Sequence, residues 1–241
     1  YIDLVLNHSY DQSPMVKMYF DGNIPTAENP WYNVDHNFEN PDAQWGNDFN
    51  HESLYTQAFV DSINSYWMSE YKIDGFRFDF TKGFSNTPHG TEDPWGGNYD
   101  AARISLLKSM ADEIWARNPL AFVIFEHLAV NSEEKVLADY GILLWGNLNS
   151  NYAEAAMAYH DNGKSDFSWI NYKKRTWNDP HVVGYMESHD EERLAYKCVT
   201  YGNSLDEYNI KDTTTELRRL AMNALFFFTI PGPKMIWQFG E

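Results

Sequence analysis

Strand patterns and helix patterns alternate along this chain, and that alternation limits the possible folds more than any other feature. Repeated β–α order predicts an α/β protein built on a sheet of parallel strands. The strand patterns are short runs of branched and aromatic residues bounded by turn residues. In chain order they read YIDLVLNH, IDGFRFDF, AFVIFEHL, ILLWGNLN, HVVGYMESHD and PKMIWQFGE.

The helix patterns between these strands differ in clarity. The clearest covers residues 101–117, with Asp100 as its expected N-cap and Pro119 just after its end. Its predicted inner stripe consists of Ile104, Leu107, Ala111 and Ile114. An earlier pattern, within residues 51–71, predicts an inner stripe of Leu54, Phe59, Ile63 and Trp67. Further helices are expected near residues 132–140, 151–160 and 214–228.

Two parallel architectures compete for this order of elements. A doubly wound sheet predicts a glycine-rich phosphate loop after an early strand, and the sequence contains neither GxGxxG nor GxxxxGK[ST]. A barrel predicts polar residues at the carboxyl ends of several strands, because its active site forms there. We therefore predict a TIM (β/α)8 barrel. The strand-end residues are Asn7 and His8, Arg77 and Asp79, Glu126 and His127, His189 and Asp190, and Gln238 with Glu241.

The predicted barrel occupies residues 1–241 as one catalytic segment. We expect it to be incomplete at its N-terminal side, because six strands do not close an eight-stranded barrel. Residues 9–50 are rich in Asn, Asp, Pro and aromatic residues, show no sustained period and are too long for an ordinary connection. We predict that they form an inserted loop or small domain after the first strand.

Charge and cysteine content limit the partners. The chain has 18 basic and 35 acidic residues, a net charge of −17, and such a field repels phosphate backbones and anionic lipids. We predict neither nucleic acid nor membrane as a partner, and no apolar run approaches the roughly 20 residues of a membrane span. The single Cys198 excludes an internal disulfide and a zinc site built on several cysteines.

Short segments in a fixed order carry a family resemblance. DLVLNH, GFRFDFTK, FEHL and ESHDEER closely resemble the conserved regions of the α-amylase family of glycoside hydrolases, and GPKMIWQFGE resembles its last barrel strand. The resemblance covers essentially the whole chain and implies barrel strands three to eight. It also implies that the first two strands and the family's C-terminal β-sandwich are absent. We therefore expect an open strand edge, and weak or no activity for this chain by itself.

The stretch IDGFRFDF suits glycoside chemistry. In a strand, Arg77 and Asp79 share one face while Phe76, Phe78 and Phe80 point to the other, where we expect them to pack against helices. Retaining hydrolysis needs two carboxyl groups about 5 to 5.5 Å apart, one attacking the anomeric carbon and one protonating the leaving oxygen. A neighbouring guanidinium favours the ionised form of the attacking carboxylate and fixes its orientation.

The resemblance assigns roles to particular residues. It implies that Asp79 is the nucleophile, Glu126 the general acid/base, and Asp190 the third carboxylate, which supports the distorted sugar and the charge of the transition state. Glu126 follows the apolar run FVIF, and such a setting raises the pKa of a carboxyl group toward neutral. The residues predicted to bind or orient the substrate are His8, Arg77, Lys82, His127 and His189.

A calcium site is a further implication of the resemblance. Its predicted ligands are Asn7, Asp48 and the main-chain carbonyl of Gly83, all hard oxygen donors of the kind that Ca²⁺ takes. Gly83 stands where the family usually has a histidine, so calcium remains an open expectation. No organic cofactor is expected.

The predicted function is a retaining glycoside hydrolase that cleaves α-1,4-glucosidic bonds in starch or maltooligosaccharides. Two alternatives remain open: a transglycosylase of the same family, and a catalytically inactive glucan-binding fragment. Aromatic residues in predicted loops or near strand ends, Trp31, Tyr32, Trp95 and Trp145, suit the faces of sugar rings, but aromatic residues also fill cores and we expect most of these to do so. Starch is too large to be imported intact, so we expect an extracellular or periplasmic location. The oligomeric state is not predicted.

Overall fold

The structure is a computed structural model that describes residues 1–240, so the strand-end position predicted for Glu241 lies outside the described residues. The chain divides into two compact units, Tyr1–Leu144 and Trp145–Glu241. The elements of the first unit are, in chain order, β1 (Ile2–Leu4), β2 (His8–Ser9), α1 (Pro14–Met18), β3 (Asn47–Asp48), α2 (Leu54–Tyr71), β4 (Gly75–Phe78), α3 (Ala101–Arg117), β5 (Phe122–Phe125), α4 (Asn131–Ala138) and the beginning of β6 (Leu143–Asn147).

Parallel strands form the centre of the first unit, in the order β1–β4–β5–β6. Asp3 of β1 lies opposite Arg77 of β4, and Phe78 of β4 lies opposite Phe125 of β5. The predicted α/β fold with parallel strands is confirmed. Because the strands run the same way, the residues that follow β4 and β5 emerge at one edge of the sheet.

Strand β4 is buried along its whole length. Phe76 and Phe78 are fully buried, and Arg77 is nearly so. Gly75 lies so close to the neighbouring strand that a Cβ atom there would come within 2.2 Å of the carbonyl oxygen of Phe122. Close backbone approach therefore requires glycine at the start of this strand.

Helix α3 matches its prediction. The four residues of its predicted stripe are buried, and the Asp100 carboxylate accepts hydrogen bonds from the backbone N–H groups of Ala102 and Arg103, as an N-cap does. Helix α2 exists as predicted, but its predicted inner stripe is confirmed only in part. Phe59, Ile63 and Trp67 are half-buried, whereas Leu54 is exposed. The fully buried side chains are Thr56, Val60 and Asn64. Thr56 tolerates burial because its hydroxyl donates to the carbonyl of Trp31.

The segment 9–50 contains α1, the short antiparallel pair β2–β3 and a small apolar cluster of its own. Val16, Tyr32 and Phe49 form this cluster, with Trp31 packed against it. Tyr32 and Trp31 thus serve the core of this segment, as expected for most of the aromatic residues singled out in the sequence. The division between the units falls after residue 144 and not at either end of this segment.

The second unit contains the rest of β6, which neighbours β7, and a group of helices. Helix α5 packs against α6 and α7, where Tyr152 and Phe227 are buried with their rings edge to face. The last predicted strand, PKMIWQFGE, does not form a full strand within residues 1–240. It contributes one isolated parallel bridge, between Gly184 and Lys234. The elements after β6 are α5 (Asn149–Ala156), β7 (Val182–Tyr185), α6 (Leu194–Tyr201), β8 (Ser204–Leu205), β9 (Tyr208–Asn209) and α7 (Thr213–Thr229).

Helix α6 and the hairpin β8–β9 have no counterpart in the predictions. Both are too short to show a clear period, and the hairpin residues Leu205 and Tyr208 are exposed. Trp145, another of the aromatic residues singled out in the sequence, is buried in this unit. Across residues 1–240, no helix combines the length and the apolar character needed to cross a membrane.

Candidate active site

Three carboxylates surround the buried guanidinium of Arg77. Its Nη1 donates to Oδ1 of Asp3 and to Oδ1 of Asp79, both at 2.7 Å, and its Nη2 donates to Oε2 of Glu126 at 2.6 Å. Burial opposes the charge of Arg77, but the nearby carboxylates outweigh burial and raise the pKa of Arg77 above its usual value. The guanidinium therefore stays charged and ties the predicted nucleophile to the predicted acid/base.

The ends of two parallel strands bring Asp79 and Glu126 together. The backbone N–H of Asp79 donates to the carbonyl of Leu4 at 3.0 Å, which extends the β1–β4 pairing by one residue. The backbone N–H of Glu126 donates to the carbonyl of Phe78, also at 3.0 Å. Adjacent parallel strands thus present both carboxyl groups at the same edge.

Phe80 does not continue the alternation of strand β4. Its φ is +43°, a left-handed backbone conformation, and it opens a short 3₁₀ turn over Thr81–Gly83. Its ring lies 4.9 Å from that of Trp45 and 5.7 Å from that of Phe38, both in the segment 9–50. The prediction that Phe80 packs against helices is therefore wrong. The turn instead lets the Phe80 N–H donate to Oε2 of Glu126 at 3.3 Å.

The surroundings of Glu126 favour its protonated form. Burial raises the pKa of Glu126 to about 7; Arg77 opposes this increase, and the negative charge of Asp79 adds to it. The side chain keeps a 16% exposed fraction. A carboxyl group that holds its proton near neutral pH can serve as a general acid.

Comparison with known proteins finds similar sequences and structures, although no protein-family model matches the chain. A 1,4-alpha-glucan-branching enzyme of Arabidopsis thaliana is 24% identical over 194 residues, which cover 77% of this chain and 22% of the relative. A branching enzyme of Solanum tuberosum is 26% identical over 181 residues, covering 69% and 19%. A branching enzyme of Aliivibrio fischeri is 30% identical over 102 residues, covering 37% and 14%. The chain thus spans about a fifth of the length of these relatives, or less.

Solved structures have the same fold. A pullulanase from Anoxybacillus sp. LM18-11, in complex with maltotriose, superposes with a TM-score of 0.67 at 16% identity, over 96% of this chain and 32% of the pullulanase. An alpha-amylase from Geobacillus thermoleovorans, in complex with acarbose, also gives 0.67 at 16% identity, over 99% of this chain and 48% of the amylase.

The chain is similar in sequence to glucan-branching enzymes and shares its fold with pullulanase and α-amylase. Both findings support the resemblance to the α-amylase family of glycoside hydrolases that the conserved-region segments carry.

Not every substrate-binding residue predicted from the α-amylase family is placed to touch a substrate. His127 is fully buried; its Nδ1 lies 2.9 Å from Oγ1 of Thr81, and its Nε2 lies 2.8 Å from Oε1 of Glu133. Burial lowers the pKa of His127, so the ring is neutral. Both ring nitrogens are engaged, and the structure gives His127 a structural role instead of the predicted contact with a sugar.

Arg103 was not singled out by any sequence pattern, yet it holds the neighbourhood of the carboxylate pair. It is fully buried, and its Nε and Nη2 donate to the two carboxylate oxygens of Glu133, at 2.7 and 2.9 Å. Its Nη1 donates to the carbonyls of Lys82 and Gly96, both at 2.9 Å. An arginine directly before the apolar stripe of α3 was the available sequence signal. Through it the turn after Asp79 is fixed to α3.

His8 and Lys82 stay close to the carboxylate pair. His8 is half-buried; burial lowers the pKa of its ring, and the charge of Asp79 opposes that decrease. Lys82 is 8% exposed, and its Nζ lies 5.3 Å from the centre of the Phe80 ring. Burial is the main reason that the pKa of Lys82 is lowered. The sugar contacts predicted for both residues remain predictions.

His189 and Asp190 follow β7 in the second unit. Nε2 of His189 lies 3.5 Å from Oδ1 of Asp190, and both side chains are exposed. The centre of the His189 ring lies 6.3 Å from that of Trp145 and 5.8 Å from that of Trp237. The unit therefore presents a histidine, a carboxylate and aromatic rings together. Their roles toward a substrate remain predictions from the family.

The predicted calcium ligands have features that suit a hard cation. Oδ1 of Asn7 is buried with no hydrogen-bond partner within residues 1–240. A Cβ atom at Gly83 would come within 1.7 Å of that oxygen, so the missing side chain leaves room for it. Burial raises the pKa of Asp48 to about 7, although its Oδ2 accepts hydrogen bonds from Asn33 and Asn37. A bound cation would compensate the charge of Asp48 and give the Asn7 oxygen a partner.

A calcium site with the predicted ligands does not need a cluster of charged side chains. In the described part of the chain, no group of three or more His, Cys, Asp or Glu residues is placed to hold a metal ion. The predicted set contains a single such residue, Asp48, together with an amide oxygen and a backbone carbonyl. Oxygen donors of these types are typical of Ca²⁺ and unsuited to zinc.

Proposed function

We propose that this chain supplies the nucleophile and the acid/base of a retaining enzyme that acts on α-1,4-glucosidic bonds of starch or maltooligosaccharides. One observation carries the proposal: the buried guanidinium of Arg77 donates hydrogen bonds to both Asp79 and Glu126. In this setting the pKa of Glu126 is raised to about 7. A retaining mechanism needs this pairing of a carboxylate with a protonated carboxyl group.

The first step follows from these roles. An oxygen of the Asp79 carboxylate attacks the anomeric carbon while the bond to the leaving oxygen breaks. Glu126 gives its proton to that oxygen, so the leaving sugar departs as an alcohol. Arg77 holds Asp79 by Oδ1, which limits the rotation of the attacking carboxylate.

The second step reverses the proton transfer. Once Asp79 is an ester, it no longer carries the negative charge that helps to raise the pKa of Glu126. The pKa of Glu126 then falls, and its carboxylate accepts a proton from the incoming hydroxyl as that oxygen attacks the anomeric carbon. Asp79 leaves as a carboxylate. The same pair therefore acts first as nucleophile and acid, then as leaving group and base.

Other roles in the proposal rest on the family alone. Asp190 would be the third carboxylate, and His8 and His189 would bind hydroxyl groups of the reacting sugar. An extracellular or periplasmic location remains part of the proposal, because the substrate is a large polymer.

Transglycosylation is the second candidate, and the sequence relatives named as branching enzymes favour it. The two reactions share the first step and differ in whether water or a sugar hydroxyl attacks in the second. Purified full-length protein incubated with maltoheptaose separates them. Hydrolysis yields shorter oligosaccharides, whereas transfer yields longer or branched products.

The proposal is tested with Asp79→Asn and Glu126→Gln in the same assay. Each substitution removes a reacting group while keeping a side chain of similar size, so both should abolish turnover. An Asp79→Asn protein that retains wild-type turnover contradicts the assigned nucleophile. Glucan binding without any turnover by the wild-type protein would instead indicate a binding protein.

Calcium is proposed with Asn7, Asp48 and the carbonyl of Gly83 as ligands. The buried oxygen of Asn7 without a partner and the raised pKa of Asp48 support this assignment. Bound Ca²⁺ would stabilise the junction between the segment 9–50 and the turn after Asp79.

A further inference from the structure

A row of aromatic rings leads from the carboxylate pair to the surface of the first unit. Phe80 follows Asp79 directly, and its backbone N–H donates to Glu126. The ring of Trp45 stands edge-on to Phe80, with centroids 4.9 Å apart, and the ring of Trp95 lies 6.2 Å beyond Trp45 at an interplanar angle of 35°. Trp45 is half-buried, whereas Trp95 is 43% exposed. We call Trp45 and Trp95 the Trp platform.

The loop that carries Trp95 is held firmly on both sides of this residue. Oδ1 of Asp93 accepts hydrogen bonds from the backbone N–H groups of Gly97, at 2.7 Å, and Asn98, at 3.3 Å. The buried Arg103 donates to the carbonyls of Gly96 and Asn98, both at 2.9 Å. A mobile surface loop would not be fixed by a buried arginine.

The conformation of Gly96 adds a second constraint on this loop. Its φ is +62°, and a Cβ atom there would come within 2.9 Å of the Phe38 ring. A residue with a side chain would therefore displace the loop. The backbone next to Trp95 is fixed, and its large ring is still left in contact with solvent.

Packing against the protein explains why a large ring stands at Trp45, but not why one stands at Trp95. A buried tryptophan stabilises a fold by the apolar area that it removes from water, and an exposed one forgoes much of that gain. A rigidly presented ring, by contrast, loses little conformational entropy when a ligand stacks on it. The geometry of the Trp95 loop therefore favours a binding role.

We propose that the Trp platform binds a pyranose ring of the glucan chain, at a subsite beyond the sugar that is cleaved. The inference rests on the proposed function, and it names a substrate contact that the family segments do not contain. A pyranose ring offers an apolar face that matches an indole, and its hydroxyl rim can stay in water. The ligand is uncharged, so the net charge of −17 does not repel it.

The test measures binding without turnover. In the full-length protein carrying Glu126→Gln, isothermal titration with maltoheptaose and with maltotriose gives two dissociation constants. Adding Trp95→Ala should weaken maltoheptaose binding about tenfold, the effect of losing one stacking contact. Maltotriose binding should change less, because a short ligand can occupy the cleavage site without reaching the platform. Trp95→Phe should restore most of the affinity.

Tyr71→Ala is the matched control, because Tyr71 is an exposed aromatic residue at the C-terminal end of α2, where the chain leads into the opposite end of β4. The Trp platform is overturned if Trp95→Ala leaves maltoheptaose binding unchanged, or if Tyr71→Ala weakens it equally. Neither result affects the proposed function. Absence of maltoheptaose binding in the Glu126→Gln background overturns both. Trp95-dependent binding in a protein whose wild-type form shows no turnover supports the platform and refutes the proposed reaction.

Discussion

At the scale of single residues, Arg77 determines the chemistry of the candidate site. Its side chain is 2% exposed and contacts Asp3, Asp79 and Glu126. Two carboxylates held by one guanidinium repel each other, so a proton on one of them lowers the energy of the pair. Burial is greatest for Glu126, and the proton resides there.

The residue-scale prediction concerns the pKa of Glu126. In Asp79→Asn, we expect this pKa to fall below about 7, because the like charge that helps to raise it is gone. Carbon-13 NMR of labelled glutamate side chains, followed from pH 4 to 9, measures the change. Asp3→Asn is the control, since Asp3 also contacts Arg77 but lies on β1 and is half exposed. An unchanged or higher pKa in Asp79→Asn contradicts the electrostatic coupling of the pair.

At the scale of elements, helix α3 joins the core to the turn after β4. Arg103 in its first turn forms a fully buried ion pair with Glu133, and Arg117 in its last turn forms an exposed pair with Asp61. Removal of one partner from a buried pair leaves the other charge uncompensated, whereas an exposed pair contributes little.

These two arginines allow a matched comparison on one helix. Arg103→Ala should lower the free energy of unfolding by about 3 to 5 kcal/mol. Arg117→Ala should lower it by about 1 kcal/mol or less, because that pair is open to solvent. Urea denaturation followed by circular dichroism measures both. A loss of about 1 kcal/mol or less for Arg103→Ala as well would show that the Arg103 network adds little to the stability of the fold.

The segment 9–50 gives the second element-scale prediction. If Asp48 and Asn7 bind Ca²⁺, millimolar calcium should raise the Tm of the wild-type protein, and a chelator should lower it. Asp48→Asn should abolish the difference, because the charged ligand is lost. Asp42→Asn, at an exposed position of the same segment, should leave it intact. Identical melting curves with calcium and with chelator would refute the site.

At the scale of the whole molecule, the raised pKa of Glu126 makes stability depend on pH. Between its ordinary value of 4.5 and about 7, the folded state holds a proton that the unfolded state has released. Stability from this group is therefore lost as the pH rises through that window. Glutamine cannot ionise, so Glu126→Gln removes this dependence.

We therefore expect Glu126→Gln to gain stability over the wild-type protein as the pH rises from 5 to 8. The rise of the Glu126 pKa from 4.5 to about 7 corresponds to about 3 kcal/mol of the free energy of unfolding. Thermal melts of both proteins at several pH values, with chelator present so that calcium does not contribute, give the difference. A difference that does not vary with pH would show that Glu126 ionises normally in the folded protein.

Local sequence patterns were enough to predict the order of the strands β1, β4, β5, β6 and β7, the inner stripe of α3 and the Asp100 cap. These features depend on residues that are neighbours along the chain, where periodicity and capping rules act directly. The sequence also pointed to Asp79 and Glu126, because the family segments contain them. The proximity of the two was predictable, since residues after adjacent parallel strands emerge at one edge.

The partners of the buried polar residues, by contrast, follow only from the folded arrangement of the chain. Thr81 meets His127, and Arg103 meets Glu133, across 46 and 30 positions of sequence. Burial of Asn64 instead of Leu54 on α2 likewise depends on what packs against the helix. Hydrogen bonds and buried charges act over a few ångströms, and no local pattern records which distant side chain will come within that distance.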